Sequence, residues 1–239
     1  GKTLVNAATG SATAACSSCP PGQYSGVGTE TCTACESGKY LVESETGYES
    51  IACSACQVGQ YSGSSSAECT RCGAGKRRVS TATAVESSAC QACAAGTQSA
   101  AASDLCGSCA LGRFSGSAAE DCTACERGKR LVDAATGTES DACAACSAGT
   151  YSLVSSADCT DCEAAKFSPS SEAWFCNDCG VGQYSGEGAT SCATCEAGKQ
   201  LVNAATGAEA GACSTCPPGQ FSGGDACEEC VPGKHLVNS

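Results

Sequence analysis

The chain has 239 residues, of which 26 are cysteine and 11 aromatic (one Trp, six Tyr, four Phe), and its formal net charge is −12. Cysteine at this density marks a disulfide scaffold, and so few large apolar side chains exclude an ordinary hydrophobic core for a chain of this length. The acidity argues against nucleic acid as a partner, and the absence of any apolar run near the roughly 18 residues of a membrane span argues against membrane insertion in this segment.

The first element, Gly1-Lys2-Thr3-Leu4-Val5, opens with what looks like the last three residues of a phosphate-binding loop. That loop needs an earlier glycine and the backbone N–H groups between the two, and these are missing here. The same string returns at Gly38-Lys39-Tyr40-Leu41-Val42, Gly128-Lys129-Arg130-Leu131-Val132, Gly198-Lys199-Gln200-Leu201-Val202 and Gly233-Lys234-His235-Leu236-Val237, and more loosely at Gly75-Lys76-Arg77-Arg78-Val79. A magnesium-binding hydroxyl would not tolerate such variation after the lysine. The string is a repeat marker.

Every cysteine falls in a CxxC pair, and the thirteen pairs recur at steps of 14 to 21 residues. Short units read CxxGx[YF]SG and then a small polar loop, as from Cys19 to Cys32. Long units read CxxGKxLVxxxTGxExxxC, as from Cys125 to Cys143. Each unit predicts a hairpin. Leu131-Val132 is a short apolar strand, Gly137 ends a turn, and Glu139 begins the return; Gly182-Gln183-Tyr184-Ser185 leads out of a short unit and Gly186 to Gly188 turns it. No segment has sustained helical periodicity. The expected fold is therefore a set of small disulfide-rich repeats, an elongated solenoid-like array of short irregular β-hairpins with little or no helix. The repeats fill residues 1–239, with incomplete copies at 1–15 and 231–239.

Paired CxxC motifs also fit zinc ribbons. Thirteen pairs do not divide into four-cysteine sites and a single histidine adds no ligand set, so disulfides are the expected state and neither metal nor cofactor is anticipated. Disulfides in this number belong to oxidising compartments, which predicts an extracellular or cell-surface location.

The string Cys19-Pro20-Pro21-Gly22-Gln23-Tyr24-Ser25-Gly26 running to Cys32 and Cys35 resembles the cysteine-rich repeat of ephrin-receptor-like extracellular proteins. It is also similar to the first loop module of tumour-necrosis-factor-receptor domains. Gln98 departs from this pattern at the aromatic place, Ala165 departs at the glycine, and proline follows cysteine only at Pro20 and Pro217. The resemblance implies that the cysteine before the glycine pairs with the next one along the chain. This gives Cys19 with Cys32, Cys35 with Cys53, Cys56 with Cys69, Cys72 with Cys90, Cys93 with Cys106 and Cys109 with Cys122. It continues as Cys125 with Cys143, Cys146 with Cys159, Cys162 with Cys176, Cys179 with Cys192, Cys195 with Cys213 and Cys216 with Cys227. A crossed scheme joining Cys16 to Cys32 and Cys19 to Cys35 stays open at the level of sequence. Under the first scheme Cys16 and Cys230 are left for inter-repeat or intersubunit bonds.

Tyr24, Tyr61, Phe114, Tyr151, Phe167, Tyr184 and Phe221 each follow the second cysteine of a pair by five residues. Each ring is expected to cover its own disulfide and the adjoining module. Leu4, Leu41, Leu131, Leu201 and Leu236, with their neighbouring valines, are expected to form similar small cores. The segment between Cys162 and Cys176 is one residue longer than its counterparts and holds the only tryptophan, Trp174, beside Phe175. With Phe167 these rings are candidates for a lateral contact, against the plainer reading of a locally repacked hairpin.

No catalytic constellation is visible. His235 is the only histidine, and neighbouring carboxylates such as Glu120-Asp121 point to opposite faces of a strand. An enzyme is not expected. The chain has no Asn-x-Ser/Thr sequon, while its many Ser and Thr residues suit O-linked glycans. Near-identical modules favour a structural component of an extracellular filament, fibre or appendage whose partners are copies of itself or neighbouring segments of a longer chain. The alternative is an elongated receptor-type or adhesion module that binds a protein or carbohydrate.

Overall fold

The structure is a computed structural model that describes residues 1–5, 11, 15–232 and 234. These form thirteen two-stranded antiparallel hairpins and no larger sheet. A hairpin of two or three residue pairs is not stable alone in water. Here twelve disulfides close the hairpins in a ladder, Cys19–Cys32, Cys35–Cys53 and onward to Cys216–Cys227, each with Cα atoms 5.6–5.8 Å apart. The crossed pattern is not formed. Closing loops of this length contributes about 3 kcal/mol per bridge in the chain-entropy account.

Backbone packing divides the chain into two compact units. One comprises Gly1–Cys109 with Ser115–Cys122 and Ala135–Gly137; the other comprises Ala110–Phe114 with Thr123–Ala134 and Thr138–Ser239. Within each unit the hairpins stack in chain order.

Short and long modules share one register. In a short module Gln23 opposes Ala34 and Tyr24 opposes Thr33. The long module adds a third pair, so that Lys39, Tyr40 and Leu41 oppose Ala55, Ser54 and Cys53. The extra residues of the long type make a turn and then one turn of α-helix, at Glu49–Ala52, Glu86–Ala89, Glu139–Ala142 and Glu209–Ala212. Each helix ends where the closing cysteine begins its strand. The threonine three residues before the helix glutamate prepares the helix: Thr46, Thr83 and Thr206 accept through Oγ1 from the N–H two residues on. One turn shows no 3.6-residue period, which is why the hydrophobic pattern does not announce it.

The helices decide which aromatic rings are buried. The last residue of each, Ala52, Ala89, Ala142 or Ala212, is fully buried. Tyr24 packs with Ala52 and the Cys35–Cys53 bridge, Tyr61 with Ala89 and Cys72–Cys90, Phe114 with Ala142 and Cys125–Cys143, and Tyr184 with Ala212 and Cys195–Cys213. Each ring thus lies against the bridge of the next module rather than its own. Leu41, Leu131 and Leu201 flank three of these clusters. Their valine neighbours Val42, Val132 and Val202 stay half-exposed and add little. Tyr151 and Phe167 precede short modules, which have no helix, and are only partly buried; Phe221 is exposed. Gln98 also precedes a short module. Its side-chain oxygen accepts from the Cys122 N–H at 2.5 Å, so at this place a hydrogen bond replaces ring packing.

Candidate functional site

The most repeated contact is made by a residue that the sequence reading passed over. The serine after the aromatic is buried in every copy: Ser25, Ser62, Ser99, Ser115, Ser152, Ser168, Ser185 and Ser222. Ser62 uses all three of its polar groups across module boundaries. Its Oγ donates to the Lys39 carbonyl at 2.8 Å and its carbonyl accepts from Gly38 N at 2.9 Å, both in the preceding module. Its N–H donates to the Thr81 carbonyl of the following module at 3.0 Å. Ser152 repeats the set with Lys129, Gly128 and Ala173, and Ser185 with Lys166, Ala165 and Ala204. The signal was present: serine persists at Ser99 even where Gln98 has replaced the aromatic.

A second set of contacts skips one module. Ser65, Ala102, Ser155 and Glu172 adopt a left-handed backbone, with φ of 58 to 62°, at the turn of short modules. Their N–H groups donate to the carbonyls of Cys35, Cys72, Cys125 and Cys146 in the preceding module. Their own carbonyls press on Gly22, Gly59, Gly112 and Gly128, two modules back, where a Cβ would overlap them. Those glycines are themselves left-handed, so both sterics and φ demand the residue. Ala165 occupies this glycine place and keeps a φ of 66°.

Charge is spent mostly inside modules. Lys39, Lys76, Lys129 and Lys199 contact Glu49, Glu86, Glu139 and Glu209 at 2.8 to 3.0 Å, joining the first strand of each long module to its helix. Hydrogen bonding from the lysine holds the carboxyl groups of Glu49, Glu86 and Glu139 below the ordinary glutamate range, and Lys199 does the same to Glu209. Lys39 and Lys129 are raised in turn, chiefly by Glu49 and Glu139, and Lys199 is raised by Glu196 and then Glu209. Burial, reinforced by Glu49, pushes the Tyr24 phenol up.

One long module carries Arg78 where the others have leucine. Its Nη2 meets Asp104 Oδ2 at 2.7 Å, its Nη1 donates to the Gln57 and Gln60 carbonyls, and Asp104 Oδ1 accepts from Gly59 N at 2.8 Å. Three consecutive modules are tied by this pair.

Trp174 and Phe175 sit together, with ring centroids 4.6 Å apart and planes at 67°. The Arg127 guanidinium lies 4.5 Å from the Trp174 ring centroid. It comes from the long module two places earlier, so the irregular hairpin is clamped back onto the array. Even so, Trp174 and Phe175 remain 45% and 48% exposed. Phe175 lines a shallow hollow of about 230 Å³ with Tyr151, Glu163, Lys166 and Cys176. Arg127 borders a second one with Ala124, Glu126 and Val154. Phe167 is half-buried in its strand opposite Asn177 and is not among the residues lining either hollow. In this module Ser168 turns its Oγ to the Ser170 carbonyl at 3.1 Å instead of to the preceding module.

Cys16 and Cys230 are the free cysteines among the described residues. Cys16 opposes Leu4 as Cys53 opposes Leu41, which is the closing position of a long hairpin. Cys230 stands where a long module's opening cysteine stands. His235, Leu236 and the first AATG string, residues 7–10, lie outside the described residues. Pairing of 24 cysteines leaves no four-thiolate set, and no group of three His, Cys, Asp or Glu among the described residues is placed to hold a metal ion. No helix among them is long and apolar enough to cross a membrane. No protein-family model matches the chain, and no curated protein is significantly similar to it.

Proposed function

We propose that the chain is a stretch of an extracellular filament, fibre or surface appendage, a disulfide-laddered array that assembles with copies of itself. The observation that carries this reading is the recurrence of one contact set. Serine hydroxyl, serine carbonyl and serine N–H bridge module after module with the same partners, at Ser62, Ser152 and Ser185. Load along such an array passes through equivalent joints, each backed by a covalent bridge. A receptor face calls instead for loops that differ from module to module at one place. The Trp174 hairpin is such a place and supports the second reading, an adhesion or receptor-type ectodomain resembling ephrin-receptor-like repeats. In either role the chain acts without catalysis, in an oxidising extracellular setting, and its exposed Ser and Thr side chains are acceptors for O-linked glycans.

Electron microscopy of the natively isolated, unreduced protein beside a reduced sample separates the readings. Filaments that come apart on reduction are expected. Single short particles that never associate would favour the receptor-type role.

A further inference from the structure

The chain's charge is unevenly distributed. From Thr70 to Ala119 it holds five cations against two carboxylates, net +3, whereas from Asp158 to Glu229 it holds two cations against eleven carboxylates, net −9. Within the basic stretch Lys76 and Arg78 are taken by Glu86 and Asp104. Arg71 and Arg77 have no carboxylate partner among the described residues. Arg71 is exposed, and the half-buried Arg77 donates from Nη2 to the Gln91 side-chain oxygen at 2.7 Å. They lie on adjacent hairpins of the first unit.

In the second unit the exposed aromatic pair has an acidic rim. Glu163 shares a hollow with Phe175, and Asp178 lies near the same lysine, Lys166. Lys166 neutralises neither acid closely, at 3.9 Å from Glu163 and 3.8 Å from Asp178, and both carboxylates are more than 80% exposed. The Trp174 ring already accepts one guanidinium from within the chain. Other short modules close with no such pair of rings, so hairpin folding by itself does not require this much exposed aromatic surface.

We infer that the Trp174–Phe175 patch, with Glu163 and Asp178, is the docking surface for the guanidinium groups of Arg71 and Arg77 of a second copy of this chain. Guanidinium groups match such a patch because they stack on aromatic rings while donating to carboxylates. The contact joins two different faces, so it is heterologous and leaves one face of each copy free to bind again. It rests on the self-associating reading above and names the surfaces involved.

The test is sedimentation of the unreduced 239-residue chain at low and high salt, for wild type, Trp174→Ala, Arg71→Glu/Arg77→Glu and Glu163→Lys/Asp178→Lys, each with its disulfides mapped. Wild type is expected to associate, and more weakly as salt rises. Trp174→Ala is expected to weaken association about thirty-fold, as for a central interface residue. Each charge variant should fail to self-associate, yet a mixture of Arg71→Glu/Arg77→Glu with Glu163→Lys/Asp178→Lys should associate again in equal proportion, because each retains the face the other has lost and the two reversed faces also carry opposite charge. Wild type that associates while the variants do so equally would overturn the assignment of the surfaces and leave the self-associating reading intact. Wild type that stays monomeric at every concentration would overturn both.

Discussion

The Ser62 hydroxyl donates to the main-chain carbonyl of Lys39 at 2.8 Å across a module boundary, from a side chain that is only 3% exposed. The same bond recurs from Ser99 to Lys76, Ser152 to Lys129 and Ser185 to Lys166. A small hydroxyl is suited to this place because neighbouring backbones approach closely and leave room for little more than an oxygen.

Ser62→Ala removes a donor from a partly buried carbonyl, so it should cost about 1–2 kcal/mol locally. Hydrogen exchange of the Gly38 amide, which donates to the Ser62 carbonyl, is expected to quicken about tenfold or more while amides several modules away are unchanged. A uniform change along the chain would count against the serine as a local joint.

Glycine substitutions separate strain from collision. Gly28 and Gly59 both have positive φ, at 75° and 70°, but a Cβ at Gly28 meets nothing within 4 Å, whereas one at Gly59 meets the Ala102 carbonyl. Gly28→Ala should cost about 1 kcal/mol, from backbone strain alone. Gly59→Ala should cost a further ~1–3 kcal/mol from overpacking. At the departing module, Ala165→Gly is expected to stabilise by about 0.5–1 kcal/mol. Denaturant unfolding of the unreduced chain measures all three.

The Arg78–Asp104 pair is a local exchange of leucine for charge. Asp104→Ala strands a guanidinium that is 18% exposed and the Gly59 N–H, and should cost about 1.5–3 kcal/mol. Arg78→Leu with Asp104→Ala recreates the combination of Leu41 and Ala67 found at the corresponding places one pair of modules earlier. Most of the loss should then be recovered. A double variant as unstable as Asp104→Ala alone would show that the charges do more than replace leucine packing.

The lysine–glutamate contacts fix a pH window. Carboxyls held below the ordinary range, at Glu49, Glu86, Glu139 and Glu209, contribute stability above the normal glutamate pKa and lose it as pH falls through their lowered values. Lys39, Lys129 and Lys199, held above the ordinary range, contribute fully below the normal lysine pKa and lose that contribution as pH rises through their raised values. The contacts are therefore complete from weakly acid to weakly alkaline pH. Carbon NMR titration of Glu139 should place its midpoint below that of free glutamate, and Lys129→Met should return it to the ordinary range.

Much of this was legible in the chain itself. Cysteine spacing and the alternation of GxYSG with GKxLV were sufficient for a hairpin repeat, because a unit of this size takes its shape from a few glycines, a turn and a bridge. The bridge partners came from resemblance to known modules, and the structure places the same partners in a ladder. The one-turn helices were hidden because Glu139–Ala142 and its counterparts are too short to show a period.

What the residues alone determined is local: where each hairpin starts, turns and closes, and that covalent bonds rather than a large core must hold it. The stacked structure decided everything that depends on a neighbour. It set Tyr24 against the next module's bridge, Gly59 under a carbonyl two modules on, and Arg127 over Trp174. These contacts join residues tens of positions apart, and their geometry follows from how one hairpin rests on the next, which a pattern read within a single repeat does not contain.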